Sequence, residues 1–175
     1  ALRRHALGVI RMLSEGDLDL PLDQLLATGA NAFGNVGEFK PAGAVLADFI
    51  YERLAGSLRE QGYSAQEVDA VVSLRPQRLG DIPKRLAAVR VFAALPEAAS
   101  LAAANKRVGN ILKKLEGDIL AEIDAALLKE PAEAALNAAL TQVKPQADAA
   151  FSKGDYTTSL QALAALKTPV DNFFD

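Results

Sequence analysis

Apolar residues recur at three- and four-residue spacing along almost the whole chain. Ala6, Leu7, Ile10 and Leu13 form the first such run and predict a helix over about 3–13. Gly16, Pro21, Gly29, Gly34 and Gly37 then punctuate residues 14–40, a boundary region with one short helical piece near 22–27. Pro41 opens a long helix that ends at Gly62, because a proline at the first helical position gives up no needed N–H. Ser64-Ala65-Gln66-Glu67 has capping-box spacing and starts a helix carrying Val68, Val71 and Val72 that stops before Pro76. Asp81 is expected to cap the next helix, with Ile82, Leu86, Val89 and Ala93, and Pro96 opens another running to about Glu116. A break at Gly117-Asp118 precedes helices over 119–129, over 131–152 with a break expected at Pro145, over 156–166 after Gly154-Asp155, and from Thr168-Pro169 onward.

No stretch alternates apolar and polar residues over the length of a strand. The 175 residues include 34 Ala and 26 Leu, both strong helix formers, so the expected fold class is all-α. No apolar run approaches the roughly 20 residues that span a bilayer, which argues against a membrane partner. Ala1-Leu2-Arg3-Arg4-His5 leads straight into an amphipathic pattern, unlike a secretory signal. Ending on Phe173-Phe174-Asp175 is odd for a natural terminus, so a truncated chain is expected.

Catalytic chemistry is sparse. With no Cys in the chain, thiol catalysis, disulfides and Cys-ligated zinc are excluded, and a reducing compartment fits. His5 is the single histidine and has no second ligand type beside it, so it reads as a solvent-side helix residue. Gly34-Asn35-Val36-Gly37 lacks the Lys-Ser/Thr of a phosphate loop and reads as a turn. Asp17, Asp19 and Asp23 lack the order and the closing Glu of a calcium loop.

Charge adds more once it is divided by position. The net charge of −3 argues against a nucleic-acid partner. Yet Arg75, Arg78, Lys84, Arg85, Arg90, Lys106, Arg107, Lys113 and Lys114 face only Asp81 and Glu97 within 75–114, a block of +7 in a chain that is otherwise −10. On the helix opened by Pro96, Leu101, Ala104, Val108, Ile111, Leu112 and Leu115 share one stripe. Lys106, Asn110, Lys113 and Lys114 lie opposite, with Arg107 at the edge, a face able to track phosphates. Lys84, Arg85 and Arg90 scatter around their stripe and read equally as snorkelling side chains. Arg53 shares a side with Leu46, Phe49 and Ile50, where a helix carboxylate is its simplest partner. Tyr51 lies nearer the polar edge, where a ring either half-buries or stacks on an unpaired base.

Five segments, in order, carry a family likeness. Ala1-Leu2-Arg3-Arg4-His5-Ala6-Leu7-Gly8-Val9-Ile10-Arg11 resembles a stretch of the β subunit of the two-subunit bacterial-type glycyl-tRNA synthetase. So do Phe49-Ile50-Tyr51-Glu52-Arg53-Leu54, Leu95-Pro96-Glu97, residues 103–112 and residues 169–175. The last also resembles the end of the DALR-type helical anticodon-binding domain of arginyl-tRNA synthetase. By this resemblance residues 1–39 are the tail of a preceding domain with its linker, and 40–175 an anticodon-binding bundle. The likeness implies a cytoplasmic ligase that attaches glycine to tRNA(Gly), whose α subunit holds the glycine, ATP and magnesium chemistry. This chain would then hold no cofactor, and its partners would be the tRNA anticodon stem-loop and the α subunit. The basic residues above, with Asn110, Arg53 and Tyr51, are the candidate tRNA contacts. Two other readings stand beside it: a protein–protein module docking its basic face on an acidic partner, and the anticodon-binding domain of an arginyl-type enzyme. Gly109 departs from the family by sitting mid-helix, and the family continues past Phe-Phe-Asp with a further helix.

Overall fold

The computed structural model of the chain describes residues 2–33, 42–115 and 123–175. They form helices and turns with no strand among them, as the Ala- and Leu-rich pattern predicts. The helices are α1 (Leu2–Glu15), α2 (Leu22–Ala32), α3 (Gly43–Glu60), α4 (Ala65–Val72), α5 (Ile82–Ala93), α6 (Ala98–Leu112), α7 (Pro131–Ser152), α8 (Tyr156–Leu163) and α9 (Lys167–Phe174). Tight 3-10 turns occupy Leu79–Asp81, Ala125–Leu127 and Ala164–Leu166. The chain divides into two compact units, Ala1–Val89 and Arg90–Asp175.

In the first unit α3 is the common support, with α1, α2 and α4 packed against it. Ile50, Leu54 and Leu58 recur every four residues on its buried face and meet Ala6, Ile10 and Leu13 of α1 and Val68 and Val71 of α4. Each fully buried Leu or Ile of this kind contributes about 1.5–3 kcal/mol. Ser64 and Glu67 form the expected capping box: Ser64 N donates to Glu67 Oε2 at 2.7 Å, and Glu67 N to Ser64 Oγ at 3.3 Å. The left-handed turn after α3 is made by Gly62, with φ of 92°.

A strap over 75–81 closes this unit. Helix α2 begins after Pro21, which offers no capping side chain. The amides of Leu22 and Asp23 donate instead to Gln77, to its carbonyl at 2.9 Å and its side-chain Oε1 at 3.0 Å. Orphan donors at a helix start need such acceptors, and here they come from a residue 54 positions away. Leu79 is fully buried beneath the strap. A Cβ on Gly80 would lie 2.5 Å from Asp17 Oδ1 and 3.1 Å from Asp17 Cα, so only glycine fits the crossing. Asp17 itself has a φ of 45° and Arg75 one of 49°, so both ends of the crossing hold non-glycine residues in the left-handed region.

The second unit is built around smaller residues. Its buried apolar side chains are Ala98, Ala147, Tyr156 and Leu166, and α7 packs against α8 and α9, with α9 also on α6. The turn into α8 uses Gly154 at φ 75°, and Asp155 caps α8 by accepting from Thr158 N at 3.0 Å. Alanine faces let helix backbones approach closely, but each buries little area. Phe151, Phe173, Ile123 and Leu127 accordingly remain exposed.

Several expectations need revising. Gly29 does not end α2, which continues to Ala32; the cost of a mid-helix glycine, about 1 kcal/mol, is smaller than the packing of the helix on α3. Pro145 does not break α7; the packing of that helix on α8 and α9 outweighs one missing hydrogen bond. The helix expected over 119–129 is reduced, within the described residues 123–129, to the 3-10 turn Ala125–Leu127, whose Ala126 N donates to Asp124 Oδ1 at 2.9 Å. Asp81 is the last residue of a 3-10 turn that runs directly into α5. Pro41, the Gly117-Asp118 break and the Gly34–Gly37 turn lie outside the described residues, as does the expected domain boundary at 39/40. On either side of that boundary, α1 and α2 share one core with α3 and α4.

Two substitutions report on these features. Gly80→Ala is expected to destabilise the chain by about 1–3 kcal/mol, as overpacking does, and Ser64→Ala by about 1 kcal/mol through loss of the cap. Urea unfolding followed by far-ultraviolet circular dichroism measures both.

Candidate nucleic-acid interface

The basic block falls on two compact units and meets two environments. Arg75, Arg78, Lys84 and Arg85 belong to the first unit. Arg78 is the most engaged: its Nη2 lies 3.1 Å from Asp17 Oδ1, its Nε 3.6 Å from Asp19 Oδ1, and its Nη1 3.7 Å from Asp81 Oδ1. Lys84 Nζ is 3.6 Å from Asp17 Oδ2. Arg75 Nη1 pairs with Asp48 Oδ1 at 2.5 Å, and its guanidinium carbon sits 4.8 Å from the centre of the Tyr51 ring. The Asp48 hydrogen bond, above all, raises the Arg75 pKa further above its already high value. Arg85 is half-buried. These cations tie the strap to the α1–α2 turn and to α3, and most of their charge is met by carboxylates of the same unit.

Tyr51 corrects one candidate directly. It is 4% exposed, and its hydroxyl donates to Pro76 O at 3.0 Å. Burial is the main cause of its raised pKa, followed by Asp23. A ring held in the core between Arg75 and α3 offers no surface to a nucleobase. Arg53 meets the ordinary expectation of a helix carboxylate partner: it pairs with Glu52 and lies over the Phe49 ring at 5.4 Å. Its Nε is buried without a hydrogen-bond partner.

In the second unit the picture reverses. Lys106 and Asn110 are exposed on α6, while Lys113 and Lys114 form the turn that ends it. None of the three lysines has a carboxylate within ion-pair reach among the described residues. Lys113 and Lys114 sit at the negative end of the helix dipole, which favours cations there. Arg90 is exposed in the last turn of α5. The apolar stripe of α6 is half-buried at Leu101 and Ala104, but Val108, Ile111, Leu112 and Leu115 are 39–55% exposed. Mid-helix Gly109 has open space where a Cβ would stand, so no close neighbour requires it.

Arg107 is fixed against α9. Its guanidinium carbon lies 4.3 Å from the Phe174 ring centre, and Nη1 donates to Phe174 O at 3.5 Å. Asp171 anchors α9 beside it: Ser100 Oγ donates to Asp171 Oδ1, and Lys167 Nζ to Oδ2, each at 2.5 Å. Lys167, and then Ser100, hold the Asp171 carboxyl below its ordinary value. Ser100, Ala103, Ala104 and Arg107 of α6, Asp171 and Phe174 of α9, and Asp175 after it line an open notch. Neither Ser100 nor Asp171 stands out as a site residue in the sequence. They are 71 residues apart, and no periodicity in one chain links them.

His5 is exposed on α1. No group of three metal-ligating side chains occurs among the described residues, and no single helix among them is long and apolar enough to cross a membrane.

Residues 1–73 match the glycyl-tRNA synthetase beta subunit family. Over its full length the chain is 74% identical to the glycine–tRNA ligase beta subunit of Dechloromonas aromatica (strain RCB). It is 67% identical to that of Leptothrix cholodnii and 66% to that of Janthinobacterium sp. (strain Marseille), again over the whole chain. The chain spans 24–25% of the length of these relatives.

The two environments separate by stability. Arg78→Ala is expected to cost about 1–2 kcal/mol, because it leaves clustered carboxylates without their shared cation. Lys106→Ala and Lys113→Ala stay within about 0.5 kcal/mol. Asp171, with its lowered pKa, contributes stability that is present above the ordinary carboxylate range and is lost as pH falls through the lowered value. Asp171→Asn is expected to remove that part of the acid sensitivity, read from melting curves between neutral and acidic pH.

Proposed function

We propose that this chain is part of the tRNA-binding half of a glycine–tRNA ligase, a helical anticodon-binding segment of DALR type that carries no catalytic group of its own. Glycine and ATP chemistry, with its magnesium, then belongs to the α subunit, and the assembly works in the cytoplasm, where tRNA is charged. The observation that carries this reading is the lysine face of α6. Lys106, Lys113 and Lys114 are exposed, lack carboxylate partners among the described residues, and lie within one helix and its terminal turn.

Phosphate contacts of this kind supply affinity and position but no sequence information. Discrimination comes from the bases. Every glycine codon begins with two guanines, so every glycine anticodon ends in two cytosines. Reading them requires splayed, unpaired loop bases stacked on a flat surface and bonded at their Watson–Crick edges. Acidic side chains elsewhere on the chain favour this arrangement by repelling RNA from the rest of the surface.

A second reading has a specific observation in its favour. Val108, Ile111, Leu112 and Leu115 give α6 an exposed apolar stripe beside its lysines, which suits a helical docking module for a protein partner.

The lysines decide between the two. In the complete two-subunit enzyme, Lys106→Ala, Lys113→Ala and Lys114→Ala combined should weaken tRNA(Gly) binding. The slope of log affinity against log salt should fall by about one unit per lost contact. Filter binding across a salt series measures this, and an unchanged affinity and slope would leave only the docking module standing.

A further inference from the structure

We propose that the notch between α6 and α9 is a pocket for a single unstacked cytosine, with Arg107 and Asp171 as the groups that read it. This deepens the tRNA-binding reading and rests on it. The pocket's walls differ in kind. Ala103 and Ala104 present small, flat apolar side chains from α6, and Phe174 closes the opposite side from α9. Between them stand the Arg107 guanidinium and the Asp171 carboxylate, each beside a neighbour that orients it, and Asp175 adds a second carboxylate at the rim.

Fixing is the important property. Arg107 lies over the Phe174 ring at 4.3 Å, with its Nη1 3.5 Å from Phe174 O. Its other N–H groups remain available, since a guanidinium has five. Asp171 is oriented by Ser100 on one oxygen and Lys167 on the other. An ionised carboxylate has about four acceptor positions, so two donors leave it able to accept again. Lys167 and Ser100 also keep it charged.

A fixed acceptor beside a fixed donor complements one pattern on a nucleobase. Cytosine carries an amino donor next to a ring-nitrogen acceptor and a carbonyl acceptor. Its amino group suits Asp171, and its N3 and O2 suit Arg107. Uridine reverses the first two positions: its O4 would face the Asp171 carboxylate, and its N3–H would face the Arg107 donors. The pocket therefore selects by repulsion as well as attraction.

Charge and base contacts are read by different quantities, which keeps this proposal separable from the previous one. The experiment uses the complete two-subunit enzyme, with tRNA(Gly) transcripts bearing either both anticodon cytosines or one replaced by uridine. The ratio of the two dissociation constants is measured for wild type, Ala103→Leu and Arg107→Gln. Ala103 is exposed on its helix, so leucine there fills the notch without entering a core. Both variants are expected to reduce the cytosine-over-uridine preference at one position by about tenfold, the size of a lost charged hydrogen bond. Ala103→Leu leaves the salt slope unchanged, while the triple lysine variant lowers that slope and leaves the preference intact. Should Ala103→Leu fold poorly by circular dichroism, Arg107→Gln decides alone. A preference unchanged in the folded variants, or absent in wild type, overturns the cytosine pocket. If the lysine variant still lowers the slope, the tRNA-binding reading survives that result.

Discussion

Arg78 and the glycine two residues after it set the constraint on which the first unit depends. The guanidinium reaches three carboxylates, those of Asp17, Asp19 and Asp81. Gly80 lets the strap pass close to Asp17, where a Cβ would stand 2.5 Å from the Asp17 Oδ1 and 3.1 Å from its Cα. Everything nearby follows from that crossing. Once the strap is laid down, Gln77 supplies the acceptors for the first amides of α2, and Pro76 accepts from the Tyr51 hydroxyl. Leu79 is then pressed into the core shared by α1 and α3. The strain of two left-handed residues, Asp17 and Arg75, is held in place by the same ion pairs that fix the strap.

The second unit solves its packing differently. Its helices are rich in alanine, so each contact buries little apolar area, and polar contacts add to the packing. The lock between α6 and α9 is the clearest example, because Asp171 accepts from Ser100 on one helix and Lys167 on its own. It also brings Phe174 beneath Arg107. An unusual share of large apolar side chains stays exposed in this unit, including much of the α6 stripe. That surface is the physical reason a protein-docking reading remains coherent beside the RNA-binding one.

Local rules carried much of the fold. The all-α class follows from composition, the α4 start from Ser64 and Glu67, and the α8 start from Gly154 and Asp155, because each depends on residues within one turn. What was illegible depends on partners far away in sequence. Gln77 capping α2 and Gly80 passing Asp17 have no local signature, since neither partner lies within fifty residues of the other. Tyr51 shows the same limit. Its place near the polar edge of a helical wheel suggested access to solvent, but the strap laid over it makes that edge part of the core. The helix expected through residue 129 failed for a nearer reason: within its described part, Asp124 turns its side chain onto the following backbone and closes a 3-10 turn instead.

Charge shows how the same limit acts on function. Summed along the chain, residues 75–114 carry +7, which treats every cation as equally available to a polyanion. Folding assigns each one a neighbour, or none. Arg75, Arg78 and Lys84 meet carboxylates from residues 17, 19 and 48, all outside the summed window. Attraction for a phosphate depends on the field left after that pairing, and a cation that gives up an internal carboxylate to reach RNA leaves that carboxylate bare. The three lysines of α6 incur no such cost among the described residues. Fewer charges therefore carry the larger part of any electrostatic attraction, and they lie on the helix that also holds Arg107 against Phe174. In the RNA-binding reading proposed above, affinity and discrimination would then come from adjacent faces of one element, the lysines meeting the RNA backbone and the notch beside them receiving a base.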